Sequence, residues 1–205
     1  MSKIISSGSQ LSDQVFLGQN LDGLQILSSD FIDCTFNHCT FIETQLQKCR
    51  FVNCTFNASD LSLGKIPESI FINTFFHESK IIGVNWAQAS WPATDLGLSI
   101  NFSKSALNHS TFIGLKLQGI QIISCQAVNV DFREADLSNA DFSGSDLYES
   151  LFIHTNLSGA DLSQARNYMI DPGLNELKKA KFSLPEAMAL LYNMDITLTG
   201  GEKED

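Results

Sequence analysis

The sequence predicts an all-β solenoid, and three observations carry that prediction. Every fifth residue is apolar, at eighteen positions from Leu11 to Leu96 and at thirteen from Phe102 to Leu162, with one slip between the two runs. In a chain that is 43% apolar, a series this long is a genuine repeat and decides the architecture. Through most of the repeats the residue two places before the large apolar centre is small, as at Cys34, Cys39, Thr44, Cys49, Cys54, Ala135 and Ala140. Positions two apart in extended chain point the same way, so both side chains face inward. Finally, a period of five fits neither ordinary element. On a helix it spirals around the axis, and in a flat strand it alternates between faces. The chain must turn a corner in every repeat.

The elements follow in order. Residues 1–10 carry no repeat and read as a flexible N-terminus. Residues 11–182 form the repeat body. Within it, WPATDLGLSINF (91–102) holds a register slip at 97–101, read as one extra residue forming a bulge or kink. Residues 167–176 read as a looped excursion, after which the frame resumes at Leu177 and Phe182 with Ala180 in the small slot. SLPE (183–186) then has the signature of a helix start, with Ser183 as N-cap, Pro185 in the first turn and Glu186 at the capping-box position. Residues 183–198 are expected to form a closing helix and strand, and 199–205 a flexible tail.

The segments ADLSN (135–139), ADFSG (140–144), SDLYE (145–149) and ADLSQ (160–164) resemble the A(D/N)LXX motif of pentapeptide repeat proteins. The resemblance covers about three quarters of the chain and implies a right-handed quadrilateral β-helix with four pentapeptides to a coil. Residues twenty apart then stack: Phe36, Phe56 and Phe76 on one face, Phe112, Phe132 and Phe152 on another, Leu117, Leu137 and Leu157 on a third. Nearly eight coils at about 4.8 Å each make a rod of roughly 37 Å.

No cofactor and no catalytic centre is expected. All five cysteines occupy the inward small slot, so CTFNHC (34–39) and CRFVNC (49–54) show the spacing of the repeat and not that of a zinc site. Structural free thiols are expected, and their number favours a reducing compartment. His38, His77, His109 and His154 fall on outward positions, never as an i, i+4 pair, and no phosphate loop or hydrolase motif is present. The chain is therefore read as a non-enzyme. MSKIISSGSQ has no apolar core typical of a signal peptide, and no apolar stretch approaches 18 residues, so a cytoplasmic protein without a membrane partner is expected. Trp86 and Trp91 fall on centre positions, where packing accounts for them, although a small-ligand site beside them and Pro92 is a further reading.

The net charge of −10 argues against direct nucleic-acid binding through a basic face. Residues 130–162 carry Asp131, Glu134, Asp136, Asp141, Asp146, Glu149 and Asp161 against Arg133 alone, a net −6. Six charges over about 8 Å of axis rival duplex DNA, with one charge per 1.7 Å, although they surround the coil. The five Asp residues sit just before a centre, where they either bond the local backbone or face a partner. Glu134 and Glu149 fall two after a centre and are the better contact candidates.

GVNW (83–86), IDPGLNELKKAKFSLPEAMALL (170–191) and the acidic balance resemble the albicidin-resistance and microcin-immunity members and, more distantly, the Qnr quinolone-resistance proteins. That resemblance implies a C-terminal head-to-head homodimer, here through Leu184, Ala187, Met188, Leu191 and Met194. It also implies a mimic of duplex DNA that binds bacterial gyrase or topoisomerase IV and protects it from a poison. The chain departs from many Qnr proteins in that no long loop is expected to interrupt its coils. The alternative reading is an interaction scaffold with a different protein partner.

Overall fold

Residues twenty apart pair as parallel strands in most coils of the computed structural model, which describes residues 5–91, 100–192 and 194. The result is a four-faced β-solenoid of about eight turns with one short C-terminal helix. The longest sheet runs through Val15–Leu17, Thr35–Asn37, Thr55–Asn57, Thr74–His77, Ile100–Ser103 and Gln121–Ile123. Gln10–Ser12, Asp30–Ile32, Arg50–Val52 and Ile70–Ile72 make a second. Beyond Ile123 the coils are held mainly by single bridges such as Asp136↔Asn156.

The centres form columns down a narrow core. Phe16, Phe36, Phe56, Phe76 and Phe102 stack with ring centroids 4.5–5.1 Å apart. Phe112, Phe132 and Phe152 form another column at 5.1–5.3 Å. Offset stacking of this kind adds about 0.5–1.5 kcal/mol per pair beyond burial.

The small slot does more than save space. Ser59 Oγ donates to the Phe36 carbonyl (3.1 Å) and accepts the Cys39 N–H (3.1 Å). Thr44, Ser69 and Ser145 make the same bond to the preceding coil at 2.6–2.7 Å. A buried carbonyl needs such a donor, so Ser and Thr serve here as hydrogen-bonding rungs. The cysteines take the same role: Cys49 Sγ lies 3.2 Å from the Ile26 carbonyl. All five are free and buried, and burial pushes the Cys54 thiol up to about 12 and that of Cys125 to about 11.

The corners turn on the second residue after each centre, which adopts positive φ, as at Asn53, Asn139 and Gly159. Among the described residues, none with positive φ is Val, Ile or Thr, whose branched Cβ clashes in that region. Where the next small residue bonds back to the centre, as Ala140 N–H to Leu137 O at 3.0 Å, the corner has the bond and φ sign of a type II turn.

Four expectations change. The first coil begins earlier than Leu11, because Ile5 is buried and Gly8 N–H donates to Leu27 O at 2.8 Å. The slip at 97–101 is larger than one residue: Phe76 pairs with Phe102, Lys80 with Ala106 and Asn85 with Thr111, each twenty-six apart. Six residues are therefore inserted, entering after Ser90, whose N–H still bonds Ser69 O in the coil before. One repeat plus one residue leaves the same five-fold frame as one residue alone, so periodicity could not separate them. Residues 92–99, with Leu96, lie outside those described.

The stretch 167–176, by contrast, adds no length, because Asn156 bridges Glu176 and Asp161 pairs with Lys181. Tyr168 and Ile170 fill the core where the frame expected residues 167 and 172. Ser183 and Glu186 also do not cap the helix. Ser183 Oγ accepts the Gln164 N–H (3.1 Å) and Glu186 Oε1 the Asn167 N–H (2.6 Å), tying the segment to the last coil. A 3₁₀ turn at Glu186–Met188 leads into the helix α1 (Ala189–Tyr192).

Candidate functional site

The five Asp residues share one local geometry. Asp131, Asp136, Asp141, Asp146 and Asp161 each accept the N–H two residues on, at 2.9–3.2 Å. Each Asx turn shapes the corner that follows, so one carboxylate oxygen of every Asp is committed to the backbone. Bridging places these residues on all four faces: Asp131 with Thr111 and Leu151, Asp136 with Lys116 and Asn156, Asp146 with Gln126 and Arg166, and Asp141 with Asp161.

Three of them are also ion-paired, Asp131 with Arg133 (2.7 Å), Asp146 with Arg166 (3.1 Å) and Asp161 with Lys181 (3.0 Å). Seven carboxylates against these three cations leave −4, less than the sequence count, because Arg166 and Lys181 lie beyond residue 162 but fold back one coil. The Ser163 hydroxyl and N–H, then Lys181, hold the Asp161 carboxyl at about 2. Arg133 lowers Asp131. Burial opposes ionisation of Asp146, but Asn167 and Arg166 outweigh it and keep its carboxyl below the usual range.

Glu134 and Glu149 behave differently. Both are exposed positive-φ corners, and neither makes an ion pair among the described residues. They border a single face from opposite edges. Glu149 enters the strand-like Leu151–Ile153 segment, while Glu134 sits under the corner that leaves it, its N–H bonded to Ile153 O at 2.9 Å. Between them lie the Asp131–Arg133 pair, Leu151 and Ile153. The Tyr148 hydroxyl bonds Glu149, which pushes the phenol up.

At the C-terminal end, Ala189 and Leu190 pack on the core and cover the open coil. Of the expected dimer residues, Leu184, Met188, Leu191 and Met194 are exposed, whereas Ala187 is half-buried. Tyr192, 65% exposed, extends the same apolar surface and was not singled out from sequence. Ile196 and Leu198 lie outside the described residues.

Trp86 is buried against Phe71, Phe76, Phe102 and Phe112, and Trp91 Nε1 donates to Trp86 O (2.9 Å). A cleft of ≈ 370 Å³ lined by Glu43, Leu63, Lys65, Asn85 and Gln88 lies nearby but contains neither ring. Pro92 lies outside the described residues.

Residues 28–62 match pentapeptide repeats, and residues 90–162 match the pentapeptide repeat region. The chain belongs to the pentapeptide repeat family. A search of curated proteins finds no match to it. Among solved structures, this pentapeptide repeat protein is similar to a trypsin-treated variant of QnrB1, a plasmid-mediated fluoroquinolone resistance protein. The TM-score is 0.62 at 17% identity, covering 94% of this chain and 100% of that one. A second trypsin-treated variant gives 0.56 at 19% identity, over 92% and 99%. Full-length QnrB1 gives 0.53 at 16% identity, over 92% and 100%. At these identities the likeness shows a shared fold. Among the described residues, no helix is long and apolar enough to cross a membrane.

Proposed function

We propose that this protein binds a bacterial type II topoisomerase, gyrase foremost, and protects it from a poison that stabilises cleaved DNA. The supporting observation is a rod that shares its fold, nearly end to end, with a fluoroquinolone resistance protein and carries two exposed glutamates, Glu134 and Glu149, without ion pairs among the described residues. In this reading the rod stands in for a duplex segment by shape, helped by the charges of Glu134 and Glu149. Carboxylates bound into Asx turns and ion pairs around the other faces contribute less. The C-terminal apolar surface around Leu184, Leu191 and Tyr192 would join two copies head to head.

The test is gyrase supercoiling and DNA cleavage with a cleavage-stabilising poison, with and without the protein, at two salt concentrations. Fewer cleaved complexes are expected, with protection weakened by Glu134→Gln with Glu149→Gln and by Leu191→Asp. An inert protein at micromolar concentration, on gyrase and topoisomerase IV alike, would sink the proposal and leave a scaffold for another partner.

A further inference from the structure

In the C-terminal coils the two outward residues beside a centre are often both polar. Asp136 and Ser138 flank Leu137, Asp141 and Ser143 flank Phe142, and Asp161 and Ser163 flank Leu162. That alternation is what a strand with one solvated face requires. The alternation fails at Phe16, between Val15 and Leu17, at Phe71, between Ile70 and Ile72, and at Phe152, whose face is bordered by glutamates without ion pairs among the described residues. Leu151 and Ile153 both point outward, 42% and 37% exposed, and neither is covered by another part of the described chain. Leu174, 45% exposed, lies next to them, since His154 N–H bonds its carbonyl (2.9 Å). Ile113, 36% exposed, repeats the pattern two coils below Ile153. Glu149 and Glu134 stand at opposite edges of this patch, and its one cation, Arg133, is already spent on Asp131.

We propose that this face docks an amphipathic helix of the partner protein, one with an apolar stripe flanked by lysine or arginine. An apolar centre inside a polar rim is the anatomy of a protein interface. The unpaired glutamates select a basic rim on the other side. Spacing agrees with a helix laid along the rod. Two coils span about 9.6 Å, and two turns of helix, one heptad, about 10.5 Å. Successive anchors of one stripe can therefore meet the Leu151–Ile153 row and the Ile113 row. The proposal rests on the topoisomerase reading only for the identity of the partner, and it adds an apolar anchor that duplex DNA does not have.

The test uses the full-length chain and a synthetic leucine–lysine amphipathic helix of about two heptads, mapped by NMR chemical shifts. Perturbations should centre on Leu151, Ile153, Glu134 and Glu149. Leu151→Ser with Ile153→Ser should weaken binding about tenfold at low and high salt, whereas Glu134→Gln with Glu149→Gln should weaken it at low salt only. Val15→Ser with Leu17→Ser, an apolar pair more exposed than Leu151 and Ile153 but on another face without Glu134 and Glu149 at its edges, is the control and should change nothing. All these positions are exposed, and unchanged melting temperatures show that the variants fold. Shifts spread over every acidic face, or binding indifferent to the Leu151/Ile153 pair, would overturn the proposal. So would a dimer that the same pair converts to monomer in sedimentation, because a second copy would then occupy the patch. Gyrase binding is measured in parallel: a helix that docks while gyrase does not bind removes the topoisomerase reading alone.

Discussion

The corner residue excludes side chains branched at Cβ. Asn129 has φ +55°, a region that costs a residue with a Cβ roughly 1–2 kcal/mol and a branched one more. Asn129→Val should lower stability by about 2 kcal/mol and Asn129→Gly leave it near neutral, as urea unfolding would show. Tyr168 offers the opposite case. Its ring is buried beside Phe182, but its hydroxyl has no hydrogen-bond partner among the described residues, and burial followed by Glu186 pushes the phenol to about 12. An unpaired buried hydroxyl costs on the order of 1–3 kcal/mol, so Tyr168→Phe should hold or raise the melting temperature. The inward small slot was visible in the sequence as a matter of size. Its role as a rung, in which Ser59 joins Phe36 O to Cys39 N–H, was not, because size and donor capacity coincide in Ser, Thr and Cys.

At the scale of the coil, the two halves differ in what holds them. The N-terminal half rests on stacked Phe columns, and the C-terminal half adds Asp-anchored turns, with Asp131, Asp136, Asp146 and Asp161 all lowered in pKa. A carboxyl that binds its proton more weakly folded than unfolded stabilises the fold fully above the unfolded value, about 3.9. That stabilisation is lost as pH falls through the folded value, about 2 for Asp161. Exchange-protected amides should therefore open first in residues 130–182 as pH drops from 4 to 2, and Lys181→Met should shift the Asp161 transition upward. Trp86 joins the halves, touching Phe71 and Phe76 on one side and Phe102 and Phe112 on the other. Trp86→Ala should cost about 3–5 kcal/mol. Because each coil contacts only its neighbours, it should also split unfolding into two calorimetric transitions. The five-fold period made nearly all of these elements legible. It failed where an insertion preserved the frame, between Ser90 and Ile100, and where Tyr168 and Ile170 left it without changing the coil length.

For the whole molecule, the acidity read along the sequence is not the acidity a partner meets. Folding brings Arg166 onto Asp146 and Lys181 onto Asp161, neutralising charge that the linear count from 130 to 162 had left free. Glu134 and Glu149, fifteen positions apart, instead converge on one face. Which charges cancel depends on the twenty-residue stacking, so the candidate site was legible as a list of residues but not as a surface. The C-terminal end follows the same logic. Leu190 and Ala189 pack against the core and cover the last coil, whereas Leu184, Leu191, Tyr192 and Met194 are exposed. In the proposed dimer, closing the coil and pairing two copies would thus use different side chains of one segment. Leu191→Asp should yield a monomer in sedimentation with its melting temperature nearly unchanged, while Leu190→Asp should destabilise the last coil itself. If both variants melt early, pairing and closure are one function of the helix. A monomeric Leu191→Asp rod that still protects gyrase would mean that one arm, about half of the roughly 22 base pairs spanned by two rods end to end, is sufficient.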